Sequence, residues 1–153
     1  MRLARQRIAA LMAQARKEYD IVVIDCNPSV SFLTRTALEN CSHLLVPVRP
    51  DRYSLRGLQM LDEYVAGIPT IIHSPKRSII LNDVDDATSE YVRQIRTTDY
   101  ATDTLAHAVP YSKYFRPRAG YVGFAVDKGG PHSTILQTSL KKIAQELQPR
   151  LGI

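Results

Sequence analysis

Apolar and polar residues follow two alternating rhythms along this chain. Residues 3–18 place Leu3, Ile8, Leu11, Met12 and Ala15 close to helical spacing, which predicts an amphipathic helix. Tyr19 and Asp20 then give way to Ile21–Ile24, an unbroken and largely β-branched apolar run ending in the acid Asp25. A run without alternation predicts a strand covered on both faces, as in a parallel sheet. Cys26–Ser29 reads as a turn and Phe32–Glu39 as a helix. His43–Val48 predicts a second buried strand, closed by a turn at Arg49, Pro50 and Asp51. Ser54 is placed to cap a helix from Leu55 to about Val65, which Gly67 ends.

The pattern continues in the second half. Residues 68–76, with two prolines, read as a loop or a short edge piece. Ser78–Asp83 predicts a third buried strand, and Asp85 or Asp86 starts a helix reaching about Arg96. Asp103–Pro110 is a weaker fourth strand. A loop rich in Tyr, Arg, Pro and Gly spans Tyr111–Gly130, and Pro131 suits the first turn of a closing helix over Ser133–Leu147. Strands and helices in alternation argue for an α/β fold, a parallel sheet with flanking helices. At 153 residues, a single domain over 1–153 is expected.

Composition narrows the possibilities. No apolar run approaches the ~20 residues needed to span a membrane, and the arginine-bearing N-terminus has no apolar core or cleavage site of a secretory signal. Cys26 and Cys41 form neither a disulfide framework nor a zinc-type CxxC. A reduced, cytoplasmic protein is expected. The net charge of +5 suits an anionic partner, nucleic acid above all, and equally suits simple solubility. Its cations are scattered and form no compact run. The four histidines lack metal-ligand spacing, and no serine sits in a G-x-S-x-G elbow.

Asp25 is the first candidate for chemistry. Ligands of open parallel sheets bind off the carboxyl ends of strands, where a carboxylate can hold Mg²⁺ directly or through water. The same residue could equally cap the following turn through its side chain. Its surroundings add a resemblance. YDIVVIDCNPSVSFLTRTAL (Tyr19–Leu38) resembles the Walker B segment of the ParA/MinD family of deviant P-loop ATPases, and LLVPVRPDRYSLRGLQML (Leu44–Leu61) is similar to that family's next strand and helix. Ser78–Asp83, Ala108–Ala119 and the KKIAQEL helix fit its last third more loosely.

The resemblance implies a P-loop NTPase-like fold, partial here, and assigns roles by motif. Asp25 corresponds to the aspartate that positions Mg²⁺ and the hydrolytic water. Asn27, Pro28 and Ser29 belong to the switch-like turn near the γ-phosphate, Asn27 standing where the family usually has a proline. Asn82 corresponds to a strand-end residue at the adenine base, with an Asx turn as its other reading. Pro110, Tyr111 and Ser112 correspond to the loop flanking that base, with a simple turn proline as the alternative for Pro110. Arg93, Arg96, Lys113, Arg116, Lys141 and Lys142 lie where the family contacts DNA without sequence preference, or are solvated surface charge.

The family's phosphate-wrapping loop, G-x-x-x-x-G-K-[ST], is not found in these residues; Gly129–Gly130 precede a proline and read as a turn. The chain therefore reads as the C-terminal portion of a ParA-like partition protein. With ATP and Mg²⁺, the complete protein would be an ATP-dependent DNA-binding switch, nucleoid-associated, serving plasmid or chromosome segregation. It would work with a DNA-bound partition partner. These residues alone are not expected to hydrolyse ATP. Strand edges left unpaired predict self-association. The rival reading is a nucleotide-independent DNA- or partner-binding module built on the same fold. A membrane-targeting relative is disfavoured, because Pro149 and Gly152 interrupt the C-terminal helix.

Overall fold

The computed structural model describes residues 2–27, 29–72, 74–112 and 131–153. Its elements run α1 (Arg2–Glu18), α2 (Phe32–Asn40), β1 (His43–Val48), α3 (Ser54–Ala66), β2 (Lys76–Leu81), α4 (Glu90–Thr97) and α5 (Pro131–Leu151). Two compact units result, 1–44 with 61–76 and 45–60 with 77–153.

The second unit is organised around β2. Its residues Ser78–Leu81 are buried without alternation, as an apolar strand covered on both faces must be. Period-2 geometry sends Ile79 and Leu81 to one side, where they pack with Val48, Leu58, Val92, Ile95 and Tyr100. Ile80 faces the other way, against Leu105, Val109, Leu136 and Ile143. β1 and β2 form a two-stranded sheet. Lys76 N–H donates to the Ser42 carbonyl at 3.0 Å and Asn82 N–H to the Val48 carbonyl at 2.8 Å. The offset is the same at both ends, so the strands are parallel. β1 is less covered than its apolar run predicts: Val48 is buried while Leu45 and Pro47 are exposed.

Helix boundaries follow local hydrogen bonding. Ser54 is the first residue of α3 rather than its cap; its hydroxyl donates to the Arg49 carbonyl at 2.6 Å and accepts from Asp51 N–H at 2.7 Å. The Asp51 carboxylate accepts from Tyr53 N–H. The next helix starts later than Asp85 or Asp86, because Asp86 spends its carboxylate on the Thr88 N–H and hydroxyl in a local turn. Ser89 caps α4 by accepting from Val92 N–H. The fourth strand reduces to two parallel bridges, Ile79 with Thr104 and Val84 with Pro110. α5 runs past the expected end through Pro149, in its last turn. It closes at Gly152, whose φ of 79° suits a residue without Cβ. Gly152 and Ile153 N–H both donate to the Gln148 carbonyl.

In the first unit α1 forms as its periodicity predicts, and Arg16 donates to the Asn40 carbonyl at the end of α2. Arg5 lies 5.8 Å from the Phe32 ring centroid and 3.6 Å from the Glu39 carboxylate. The main departure from expectation follows α1. Residues 19–27 adopt no regular structure, and Val23 is 85% exposed. A strand needs a neighbour to pair with, and among the described residues none lies beside Ile21–Ile24. The apolar run is present, but no sheet covers it among the described residues.

Candidate functional site

The Asp25 turn is shaped by its own backbone. Ser29 N–H donates to the Asn27 carbonyl at 2.7 Å, and Ser31 N–H to the Ser29 carbonyl at 2.9 Å. Ser31 then caps α2: extended at φ −113° and ψ 163°, it accepts from Thr34 N–H at 3.1 Å. The Thr34 hydroxyl is 3.0 Å from Ser31 Oγ and reaches back to the Asn27 carbonyl at 3.4 Å. This cap holds the turn against the start of a helix, where backbone N–H groups favour negative charge.

A cleft of about 290 Å³ opens here. Ile8 and Met12 of α1, Ile24, Leu33 and Ala37 supply its apolar wall, while Asp25, Asn27, Ser31 and Thr34 supply its polar side. Asp25 is the one carboxylate in the lining. Among the described residues no group of three or more His, Cys, Asp or Glu side chains could hold a metal unaided. Cys26 lines the same cleft and is exposed. Burial pushes the Cys41 thiol up.

The other predicted nucleotide contacts belong to the second unit. Asn82 is exposed immediately after β2 and precedes Asp83, which takes a φ of 60° and pairs with Arg49 at 3.3 Å. Val84 N–H donates to the Val109 carbonyl at 3.1 Å and Tyr111 N–H to the Val84 carbonyl at 2.9 Å. The strand-end turn at Asn82 and the Pro110–Ser112 segment are thus side by side, joined by the parallel Val84–Pro110 bridge.

The predicted basic residues differ in their surroundings. Lys141 and Lys142 are exposed on α5. Arg93 is exposed and paired with Glu90 at 2.5 Å, while Arg96 is half-buried and donates to the Leu105 and Ala106 carbonyls. Pro28, Lys113 and Arg116 lie outside the described residues. Ser31 and Thr34 were not singled out as functional from the sequence, although a serine before an apolar helical run is a readable cap. Two polar clusters gave no sequence signal. In one, Glu39 accepts from Thr70 at 2.5 Å and from Arg35 at 3.0 Å. Burial pushes the Glu39 carboxyl up, but these bonds and the charges of Arg5 and Arg35 outweigh it and leave it below its ordinary value. In the other, Arg77 grips Asp103 at 2.7 and 2.8 Å with its guanidinium 4.9 Å from the Tyr100 ring centroid.

Sequence comparison assigns the class. The AAA domain family (AAA_31) matches residues 1–79, which contain the Asp25 turn and its cleft. The chain belongs to this family, as a ParA-like member of its ParA/MinD type. A ParA family protein of Chlamydia muridarum is 34% identical over 67 residues, 44% of this chain and 26% of its own length. The sporulation initiation inhibitor protein Soj of Bacillus subtilis is 34% identical over 55 residues, covering 36% of this chain and 22% of Soj. The chromosome partitioning protein ParA of Myxococcus xanthus is 43% identical over 44 residues, 29% of this chain and 16% of that protein. The chain thus aligns with about a quarter or less of the length of these relatives. No solved structure matches. Among the described residues no helix is long and apolar enough to cross a membrane.

Proposed function

We propose that these residues serve an ATP-dependent DNA-binding switch in DNA partition, acting with a DNA-bound partner protein at the nucleoid. The observation that carries this reading is the position of Asp25, on a capped turn facing a cleft, within the segment the family matches. Asp25, directly or through water, would hold a Mg²⁺ ion, whose chemistry is to neutralise phosphate oxygens. Asn27 and Ser29 present a stitched turn whose position can answer to the presence of the last phosphate. Asn82 and the Pro110–Ser112 segment offer polar and flat surfaces to a base. Arg93, Lys141 and Lys142 are exposed cations suited to DNA phosphates, and copies of the chain associate in the bound form.

DNA binding by the full protein, with and without MgATP, tests this. MgATP is expected to strengthen binding of random-sequence DNA at least ~tenfold, with log K falling by about 0.9 per phosphate neutralised as log salt rises. Asp25→Asn is expected to remove the MgATP increment and leave basal binding unchanged. DNA binding indifferent to MgATP would overturn the switch in favour of a nucleotide-independent module.

A further inference from the structure

Pairing along β2 is interrupted at one place. Leu105 N–H donates to the Ile79 carbonyl at 2.9 Å, and the next rung is Val109 N–H to the Leu81 carbonyl at 2.8 Å. A regular parallel ladder would have used His107 N–H there, so the chain bulges by two residues. The backbone groups displaced from the ladder need other partners. Two helices supply them. Arg96 of α4 donates through Nη2 to the Leu105 carbonyl at 3.2 Å and the Ala106 carbonyl at 2.8 Å. Glu146 of α5 accepts from Ala106 N–H at 2.8 Å and His107 N–H at 3.0 Å, and pairs with His107 Nδ1. One turn further along α5, Arg150 donates to the Asp103 carbonyl at 2.9 Å.

The competing arrangement is easy to specify. If the bulge closed, His107 would take the rung beside Leu81, and every residue beyond it would slide two positions along β2, roughly 6–7 Å. Val109, buried beside Leu136 and Ile143, would leave the core, and Pro110–Ser112 would move past the strand end. Both Arg96 bonds, and the Glu146 bonds from the Ala106 and His107 N–H groups, go to backbone of the bulged form, so these bonds are differential between the two registers.

We propose that Arg96 and Glu146 are positioning residues for the Pro110–Ser112 segment, gripping the bulge from two helices and so fixing the register in which Val109 and Tyr111 pair with Val84. The relevance of this to ligand binding rests on the reading of Pro110–Ser112 as a nucleotide-flanking segment; the register itself does not. The grip explains why the half-buried charges of Arg96 and Glu146 meet at the backbone of Leu105–His107.

Amide exchange by NMR on the full chain, for Arg96→Ala and Glu146→Ala, tests it. Exchange at Val109 and Tyr111 is expected to rise at least ~tenfold, while Ile79 and Ile95 amides keep their protection. Glu146→Gln, which keeps one acceptor oxygen, is expected to recover part of the protection. Exchange at Val109 and Tyr111 within about twofold of the parent, or a rise shared equally by Ile79 and Ile95, would overturn the proposal. If the alanine variants do not fold, Glu146→Gln and Arg96→Lys are judged by the same criterion. A parallel MgATP titration separates the two readings. Parent resonances of Tyr111 and Ser112 that ignore MgATP would sink the nucleotide reading, while the register proposal would still be decided by exchange.

Discussion

Leu81 and Val23 both sit in uninterrupted apolar runs, yet Leu81 is 0% exposed and Val23 85% exposed. The difference lies in their neighbours. β2 has β1 on one edge and the Thr104 bridge on the other, with Ile95 and Leu58 above and Leu136 and Ile143 below. Ile21–Ile24 has no strand beside it among the described residues. An apolar run therefore states a demand for cover, and long-range pairing decides whether that demand is met. The unit holding the strand ends has two apolar clusters, and the unit holding the Asp25 turn relies on Thr36, Ala37, Leu38 and Ile68.

The comparison can be broken most directly by truncation. Leu81→Ala is expected to cost about 2–5 kcal/mol, whereas Val23→Ala should fall within about 0.5 kcal/mol, both by urea unfolding. A large cost at Val23 would mean that the run is covered in solution. Next in size is Arg77→Ala, which removes a two-bond grip on Asp103 and a ring contact; a loss of about 1–2 kcal/mol is expected, with Arg77→Lys recovering only part. Acidification gives a smaller effect shared by the two units. Burial raises the Glu146 carboxyl, but its bonds from His107 and the Ala106 and His107 N–H groups, with the His107 charge, hold it below its ordinary 4.5, as happens at Glu39. A carboxyl depressed in the folded state stabilises above its unfolded value and loses that contribution as pH falls through the folded one. Stability should thus decline below about pH 4.5, and Glu146→Gln should flatten the slope for the second unit alone. Smallest of all, Arg93→Ala breaks an exposed helix pair and should leave the urea midpoint essentially where it was.

Much of this architecture was legible from periodicity. Leu3, Ile8, Leu11 and Met12 mark α1, and His43–Val48 coincides with β1. The Walker B-like resemblance named Asp25 as a Mg²⁺ residue; the structure places it in the lining of a cleft, and its role belongs to the proposal. What could not be read depends on tertiary pairing. Asp86 looked like a helix start because its preference for Thr88 is decided by local geometry, and Asp103–Pro110 looked like a strand because a two-residue bulge leaves no compositional mark. Arg96 carried a charge that suggested DNA, while its half-buried guanidinium donates to backbone carbonyls exposed only by that bulge. Glu146 gave no signal for the same reason: its partners lie some forty positions away in sequence.

The bare stretch from Tyr19 to Ile24 also bears on how long the protein lasts. Proteases cut at exposed irregular segments, and chaperones bind exposed apolar residues; this stretch is irregular and carries exposed apolar side chains. Cleavage there would separate α1 from the capped turn that carries Asp25. Exposure of those side chains therefore bears on the protein's lifetime, and mild digestion followed by mass measurement is expected to show cleavage between residues 19 and 27.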